Sequence, residues 1–206
     1  CELKDVMLGE VWLCSGQSNM EWTPMANIDN RDEEIAAANY PNIRFFHIPK
    51  RGAVTPQNNC EASWATCTPD VMKNTSAVAY FFGRDLQKDL NVPIGLIVSA
   101  WGGTPAEVWT PEELVMDNPR LRDAMPDKTY PWWPVEPGVL YNQMINPVTP
   151  YALAGAIWYQ GESNRDHPDS YGILMKTMIE SWRKSFKKDF PFYLVQIAPF
   201  TYNAGD

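Results

Sequence analysis

Five segments of the chain have the hydrophobic pattern of β-strands, and three of them end in a polar turn. In the first, apolar Val11, Trp12 and Leu13 run directly into small and amide residues. The second alternates apolar and polar positions, which is typical of a strand with one covered face. The others are almost continuously apolar, as expected for strands covered on both faces. In chain order, the predicted strands cover residues 11–14, 42–49, 94–103, 152–159 and 191–200.

Helical patterns separate these strands. A short helix is expected after Asp29 or Asn30, either of which can cap it, and it ends before Pro41. A second helix is predicted over residues 76–90 and a third over residues 168–187. The second is expected to bury Val78, Phe82, Leu86 and Leu90. The third is expected to bury Tyr171, Met175, Met178, Trp182 and Phe186.

The order of these elements predicts an α/β fold. Strands that alternate with helices, joined by right-handed crossovers, form a parallel sheet flanked by helices. The 206 residues, 45% of them hydrophobic, suit a single domain over residues 1–206. Residues 51–75 have no regular pattern and are expected to form surface loop and short extended pieces. Residues 104–137 are rich in Pro and Trp and are expected to be a long insertion beside the strand ends.

Charge and hydropathy exclude several classes of partner. The formal net charge is −8 and no run of basic residues occurs, so binding to nucleic acid or to an anionic membrane surface is not expected. No segment approaches the roughly 20 apolar residues of a membrane-spanning helix. The substrate is therefore expected to be neutral or small. The aromatic loop YPWWP, residues 130–134, suits either a carbohydrate site or simple core packing.

The cysteines and histidines give little support for a metal site. No CxxC pair occurs, and the only histidines are His47 and His167, so zinc binding is not expected. Cys60 and Cys67 are close in sequence, and they form either a small disulfide loop or two unrelated thiols. Cys14 is expected to be a buried small hydrophobic residue.

Three predicted strands end in glycine-containing polar turns, and this arrangement suggests catalysis. The turns are CSGQSNM, WGGTPAEVW and WYQGESN. Each alone is most often a structural turn. The carboxyl ends of parallel strands lie at one edge of a sheet, however, so the three turns are expected to face one another. A serine, backbone N–H groups and side-chain amides that converge there are the groups that acyl transfer requires.

These three segments together resemble the sialate O-acetylesterase family of the SGNH hydrolase superfamily, and they are similar to the related acetyl-xylan esterases. The resemblance extends from Leu8 to about Phe200 and includes YNQMINP, residues 141–147. It implies a flavodoxin-like three-layer sandwich and a serine carbohydrate O-acetylesterase, similar to sialate 9-O-acetylesterases, that removes acetyl groups from sugar hydroxyls. It implies no cofactor and no metal, and a secreted or periplasmic location. It does not indicate an oligomeric state.

The resemblance also implies roles for particular residues. Ser18, in the block from Gly16 to Asn19, is the expected nucleophile. The N–H groups of Ser18 and Gly103 are the expected oxyanion donors, and Gly102 exchanges roles with Gly103 if the alignment shifts by one residue.

In the third block, the side-chain donor is either Gln160 or Asn164. Glu162 either orients a catalytic histidine or connects the turns by accepting N–H hydrogen bonds.

One part of the family pattern has no counterpart here. The family's general base is a histidine in a D-x-x-H-like block near the C-terminal end, and the chain stops at Asp206 without it. The sequence therefore predicts a domain truncated at its C-terminus and nearly inactive by itself. His47 is expected to be structural, and His167 lies in the wrong chain position for the base. Two alternatives remain open, namely an acetyl-xylan esterase and a non-catalytic carbohydrate-binding fragment.

Overall fold

Six strands form the sheet at the centre of the structure, a computed structural model that describes residue 2, residues 4–126 and residues 129–199. They are β1 (Glu10–Gly16), β2 (Tyr40–His47), β3 (Trp64–Cys67), β4 (Ile94–Ala100), β5 (Gly155–Tyr159) and β6 (Phe192–Leu194). Their order in the sheet is β3-β2-β4-β1-β5-β6. All neighbours are parallel except β3, which runs antiparallel to β2. The predicted parallel α/β sheet is thus confirmed, with one antiparallel edge strand added.

The helices lie along the chain between these strands. They are α1 (Ser18–Glu21), α2 (Arg31–Ala37), α3 (Pro69–Met72), α4 (Ala77–Leu90), α5 (Glu112–Met116), α6 (Pro119–Arg122) and α7 (Pro168–Ser185). The three helices predicted from the sequence correspond to α2, α4 and α7. Asn30 precedes α2 in a left-handed conformation, but its side chain makes no capping hydrogen bond. Within the described residues, no helix is long and apolar enough to cross a membrane.

Two hydrophobic cores cover the opposite faces of the sheet. Successive residues of β1 show this directly, because Leu13 packs in one core while Trp12 and Cys14 pack in the other. The first core includes the buried face of α7 and the second includes that of α4. Side chains alternate between the two faces of a strand, so a continuously apolar strand supplies both cores. The result is the three-layer sandwich that was predicted.

The buried face of α4 differs from the predicted one. The structure buries Ala79, Tyr80 and Gly83, whereas Leu90 is 45% exposed. Residues spaced four apart rotate by about 40° per step around a helix of 3.6 residues per turn, so the predicted stripe leaves the sheet before Leu90. A Cβ atom on Gly83 would lie 2.5 Å from Leu96 Cδ1, which shows how closely the helix approaches the sheet there.

Residues 51–75 contain the short strand β3, in agreement with the extended pieces predicted there, and the short helix α3, which was not predicted. The strand has only four residues, too few for a periodic pattern to be evident. The disulfide alternative is wrong in this structure, since Cys60 and Cys67 are both free and buried. The two thiols belong to the cores on opposite faces of the sheet, which keeps them apart.

The last predicted strand is shorter and more exposed than expected. Only Phe192–Leu194 forms a strand, and the exposed fractions of Tyr193 and Leu194 are 54% and 55%. In the described part of the chain, β6 pairs with β5 alone. The sequence shows that these residues are apolar but not that their strand lies at the edge of the sheet. Residue 200, at the end of the predicted strand, lies outside the described residues.

Candidate active site

The three polar turns begin side by side, at the same edge of the sheet. Gly16, at the end of β1, is in register with Ala100 of β4 and with Tyr159 of β5. These three strands are adjacent in the centre of the sheet and all parallel. The turns that follow them therefore meet, as the sequence predicted.

Ser18 is an exposed residue at the start of α1, directly after the first turn. Gly16 has a φ of +142°, and a Cβ atom on it would lie 2.2 Å from the carbonyl oxygen of Tyr159. Only glycine allows the two strands to approach this closely while the chain turns. The Gln17 backbone N–H donates to the Tyr159 carbonyl at 3.0 Å, and its Oε1 accepts from the Gly161 N–H at 3.3 Å. These contacts hold the backbone before Ser18.

The double glycine of the second turn lies against Ser18. A Cβ atom on Gly102 would be 3.4 Å from the Cβ of Ser18. The Gly102 N–H donates to Oε2 of Glu21 at 2.6 Å, so this N–H is already occupied. The Gly103 N–H, in contrast, donates to no atom of the described residues, and the Gly103 carbonyl accepts from Ser163 Oγ at 3.0 Å. Of the two glycines, Gly103 is the one with an available donor.

Glu162 connects the first and third turns. Its Oε1 accepts a hydrogen bond from Asn19 Nδ2 at 2.7 Å. Its Oε2 is buried and has no hydrogen-bond partner among the described residues. A buried carboxylate oxygen without a partner is costly, so it is a position where a substrate or a further side chain would be stabilised.

Gln160 and Asn164, the two candidate amide donors, are buried in a network of internal hydrogen bonds. Gln160 Nε2 donates to Asn164 Oδ1 at 2.7 Å and to the Thr104 carbonyl at 3.3 Å. Its Oε1 accepts from the hydroxyl of Tyr171 at 2.9 Å. Asn164 Nδ2 donates to Glu107 Oε2 at 2.8 Å. In this structure the network connects the third turn to the second, and the Gln160 amide is fully engaged within the protein.

Glu107 is a buried acid that the sequence analysis did not single out. Burial raises the pKa of its carboxyl group, while the hydrogen bond from Asn164 opposes that shift. Ala106, next to it, donates its N–H to Asn164 Oδ1 at 2.9 Å. Residues 106–109 are all buried, so this part of the predicted insertion belongs to the core. An acid within the apolar run AEVW was the signal available in the sequence.

The two histidines lie on different sides of the turns. His47 ends β2, and desolvation lowers the pKa of its imidazole while the nearby Glu21 carboxylate opposes that shift. His167 directly precedes α7. In the part of the chain that the structure describes, neither imidazole forms a hydrogen bond with Ser18. Neither histidine is therefore hydrogen-bonded to the serine as a general base would be.

A cleft of about 640 Å³ opens beside the second and third turns. One wall is aromatic and comes from the loop that contains Tyr130 and Trp133. The other wall is polar and comes from the third turn and the residues after it. The lining residues on the polar side are Glu162, Ser163, Asn164, Arg165, Asp166 and His167. The arrangement can hold a small molecule that has both apolar and hydroxyl-bearing faces.

Comparison with known proteins gives relatives for nearly the whole chain. A family model described as "Carbohydrate esterase, sialic acid-specific acetylesterase" matches residues 8–205. The sialate O-acetylesterases of Pongo abelii and Homo sapiens are each 35% identical to this chain, over 94% of its length and 40% of theirs. The chain therefore spans about 40% of the length of these curated relatives.

Solved structures agree with this result. A carbohydrate acetylesterase from Xanthomonas citri has 36% sequence identity and a TM-score of 0.79, and the match covers 91% of this chain and 41% of that one. A protein from Arabidopsis thaliana, at 18% identity and a TM-score of 0.58, shares the fold over 92% of this chain and 74% of its own. The family model, the curated relatives and the geometry of the three turns agree, and this chain belongs to the sialic acid-specific acetylesterase family of carbohydrate esterases.

Proposed function

We propose that this chain carries the nucleophile and the oxyanion donors of a serine esterase that removes acetyl groups from sugar hydroxyls. The observation that carries the proposal is that the exposed Ser18 lies beside Gly102, whose chain neighbour Gly103 has a backbone N–H without a partner among the described residues. Membership in a family of carbohydrate esterases supports the substrate class. The proposal extends to the secreted or periplasmic location that the family resemblance implies.

The mechanism follows from these groups. A general base takes the proton of Ser18 as Oγ attacks the acetyl carbonyl and forms a tetrahedral intermediate. The bond to the sugar oxygen then breaks, the protonated base gives its proton to that oxygen, and an acetyl-enzyme and a free sugar hydroxyl result. The N–H groups of Ser18 and Gly103 donate to the oxyanion of each tetrahedral intermediate. Water then attacks the acetyl-enzyme and releases acetate, and Ser18 regains its proton.

The third donor and the base need residues beyond this pair. Both amide hydrogens of Gln160 are held, by Asn164 and Thr104, so Gln160 reaches an oxyanion only by exchanging a protein partner. Asn164 keeps one amide hydrogen in its bond to Glu107. Neither His47 nor His167 is hydrogen-bonded to Ser18 in the described residues, and neither lies in a D-x-x-H-like block, so we assign the base to a histidine outside these 206 residues. The unpaired Glu162 Oε2 supports a role for Glu162 as the acceptor of a hydrogen bond from that histidine.

Ser18→Ala in the full-length gene product tests the nucleophile. Acetate release should fall by a factor on the order of 10⁴ to 10⁶, as in other serine hydrolases that lose a catalytic residue. A covalent serine probe should label the wild type at Ser18 and leave the Ala variant unlabelled. Ser15→Ala is the matched control, because Ser15 is buried and its Oγ has no hydrogen-bond partner in the described residues. Retained turnover in Ser18→Ala would exclude Ser18 as the nucleophile.

The same assay separates the remaining candidates. Acetate release from O-acetylated sialic acid, compared with release from acetylated xylan, distinguishes the two esterases. Sugar binding without probe labelling or acetate release would instead indicate a non-catalytic carbohydrate-binding module.

A further inference from the structure

Three large aromatic side chains form a cluster on the surface beside the second turn. The ring centroids of Tyr130 and Trp133 are 4.7 Å apart, and those of Trp132 and Trp133 are 5.5 Å apart. Trp132 is 62% exposed and Tyr130 is 39% exposed. Tyr130 and Trp133 also line the adjoining cleft, whereas Trp132 does not, so these two rings are the ones that a molecule bound in the cleft can touch.

The cluster is held directly against the proposed catalytic residues. A Cβ atom on Gly103 would lie 2.4 Å from the ring of Trp133, so this indole covers Gly103 closely. The indole N–H of Trp101 donates to the carbonyl of Trp132 at 3.3 Å and connects the aromatic loop to the end of β4. Gly102, next to Gly103, contacts Ser18. The aromatic loop thus covers Gly103, and Gly102, the residue before Gly103, lies beside Ser18.

The cleft beside this cluster has two chemically different walls. Tyr130 and Trp133 form the aromatic wall, and Glu162 and Ser163 belong to the polar wall opposite. Ser163 Oγ donates to the Gly103 carbonyl at 3.0 Å, and its lone pairs can accept a hydrogen bond from a ligand hydroxyl. A pyranose ring matches both walls, because its C–H face is apolar and its edge carries hydroxyl groups. A flat aromatic face favours such contact, whereas an ordinary polar pocket does not provide it.

We propose that this cleft is the subsite for the sugar ring of the acetylated substrate, with Tyr130 and Trp133 stacking on the ring and Ser163 Oγ accepting a hydroxyl hydrogen bond. This inference rests on the proposed function and names the residues that select a sugar ester over a simple ester. Gly103, whose neighbour Gly102 lies beside Ser18, lines the same cleft and connects the subsite to the serine. The aromatic wall recognises the ring itself, so a sialic acid and a xylose residue share this subsite chemistry.

Tyr130→Ala provides the test, with Tyr130→Phe as the variant that keeps the ring. We expect kcat/KM for an acetylated sugar to fall about tenfold in the Ala variant and to stay within about twofold of wild type in the Phe variant. Hydrolysis of ethyl acetate, which has no ring to stack, should change by less than about twofold in both. O-acetylated sialic acid and acetylated xylan are assayed separately, and the loss is expected for each of the two that the wild type hydrolyses.

Trp132→Ala is the matched control, because Trp132 lies in the same loop but does not line the cleft. An equal loss in Trp132→Ala and Tyr130→Ala would show that the loop was merely disturbed and would overturn the subsite. Unchanged sugar-ester hydrolysis in Tyr130→Ala would overturn it as well.

Direct binding separates failure of this inference from failure of the proposed function. If the full-length wild-type protein hydrolyses neither O-acetylated sialic acid nor acetylated xylan, the proposed function fails. The subsite is then tested by titration with N-acetylneuraminic acid and with xylotriose. A perturbation of tryptophan fluorescence that Tyr130→Ala weakens and Trp132→Ala does not would support the subsite. Absence of any perturbation would overturn it.

Discussion

The Glu21 carboxylate accepts a hydrogen bond from the backbone N–H of Gly102, with 2.6 Å between Oε2 and the nitrogen. Glu21 ends the short helix that Ser18 begins, and its Oε1 is paired with Lys50. One side chain thus fixes the second turn relative to the serine. It also occupies the Gly102 N–H, whereas the Gly103 N–H has no acceptor among the described residues.

Glu21→Ala should lower kcat for acetyl-ester hydrolysis by about tenfold or more while KM changes little, because the turn that presents Gly103 loses its anchor. Glu21→Gln should recover most of the activity, since its amide oxygen still accepts the Gly102 N–H. Both constants are measured by steady-state acetate release, and Glu33→Ala, which removes an exposed acid from α2, is the control. An unchanged kcat in Glu21→Ala would contradict this positioning role.

Glu162→Gln tests the unpaired carboxylate oxygen. The amide oxygen of Gln can still accept from Asn19, but the negative charge at the position of Oε2 is lost. We expect kcat to fall by about 100-fold or more, with a shift in the pH profile, if the charge orients and stabilises the histidine. The thermal midpoint, measured in parallel, should change little. Wild-type activity in Glu162→Gln would restrict Glu162 to connecting the turns.

Glu107 should make the stability of the protein depend on pH. Burial raises the pKa of this carboxyl in the folded state above its unfolded value. Its stabilising contribution is therefore complete below the unfolded pKa and is lost as the pH rises through the folded pKa. Urea unfolding at a series of pH values should show this loss in the wild type, and the loss should be smaller in Glu107→Gln. If the free energy of unfolding depended on pH equally in the wild type and in Glu107→Gln, Glu107 would not be the source of the pH dependence.

Two glycines should respond to alanine in opposite directions. At Gly16, the positive φ and the contact with the Tyr159 carbonyl predict a loss of about 2 to 5 kcal/mol in the free energy of unfolding. At Gly172, inside α7, an added Cβ meets no atom within 4 Å, so alanine should stabilise by about 0.5–1 kcal/mol. Chemical denaturation measures both. An unchanged free energy of unfolding in Gly16→Ala would show that the turn before Ser18 can relax to accommodate the added Cβ atom.

The main elements of the fold could be predicted because each carries a local signal. The apolar run before Ser18 and the run that ends in Gly102 and Gly103 are buried on both faces, and strands of that kind need no polar positions. The long helix α7 was predicted with its buried face because Met178 and Trp182 repeat at helical spacing. The burial of the edge strands was predicted wrongly. The exposure of a strand depends on which strands lie beside it, and a local sequence pattern does not contain that information.

For the candidate site, too, the sequence determined some features and the tertiary structure determined others. The chain's own residues determined that three polar turns follow three parallel strands, and a family resemblance assigned Ser18 to the first of them. Only the tertiary structure decided which groups are free to act, because hydrogen bonds between distant segments occupy the Gly102 N–H and the Gln160 amide while leaving the Gly103 N–H and Glu162 Oε2 open. Such partners are far apart in sequence and are selected by packing, so local propensity and spacing do not encode them.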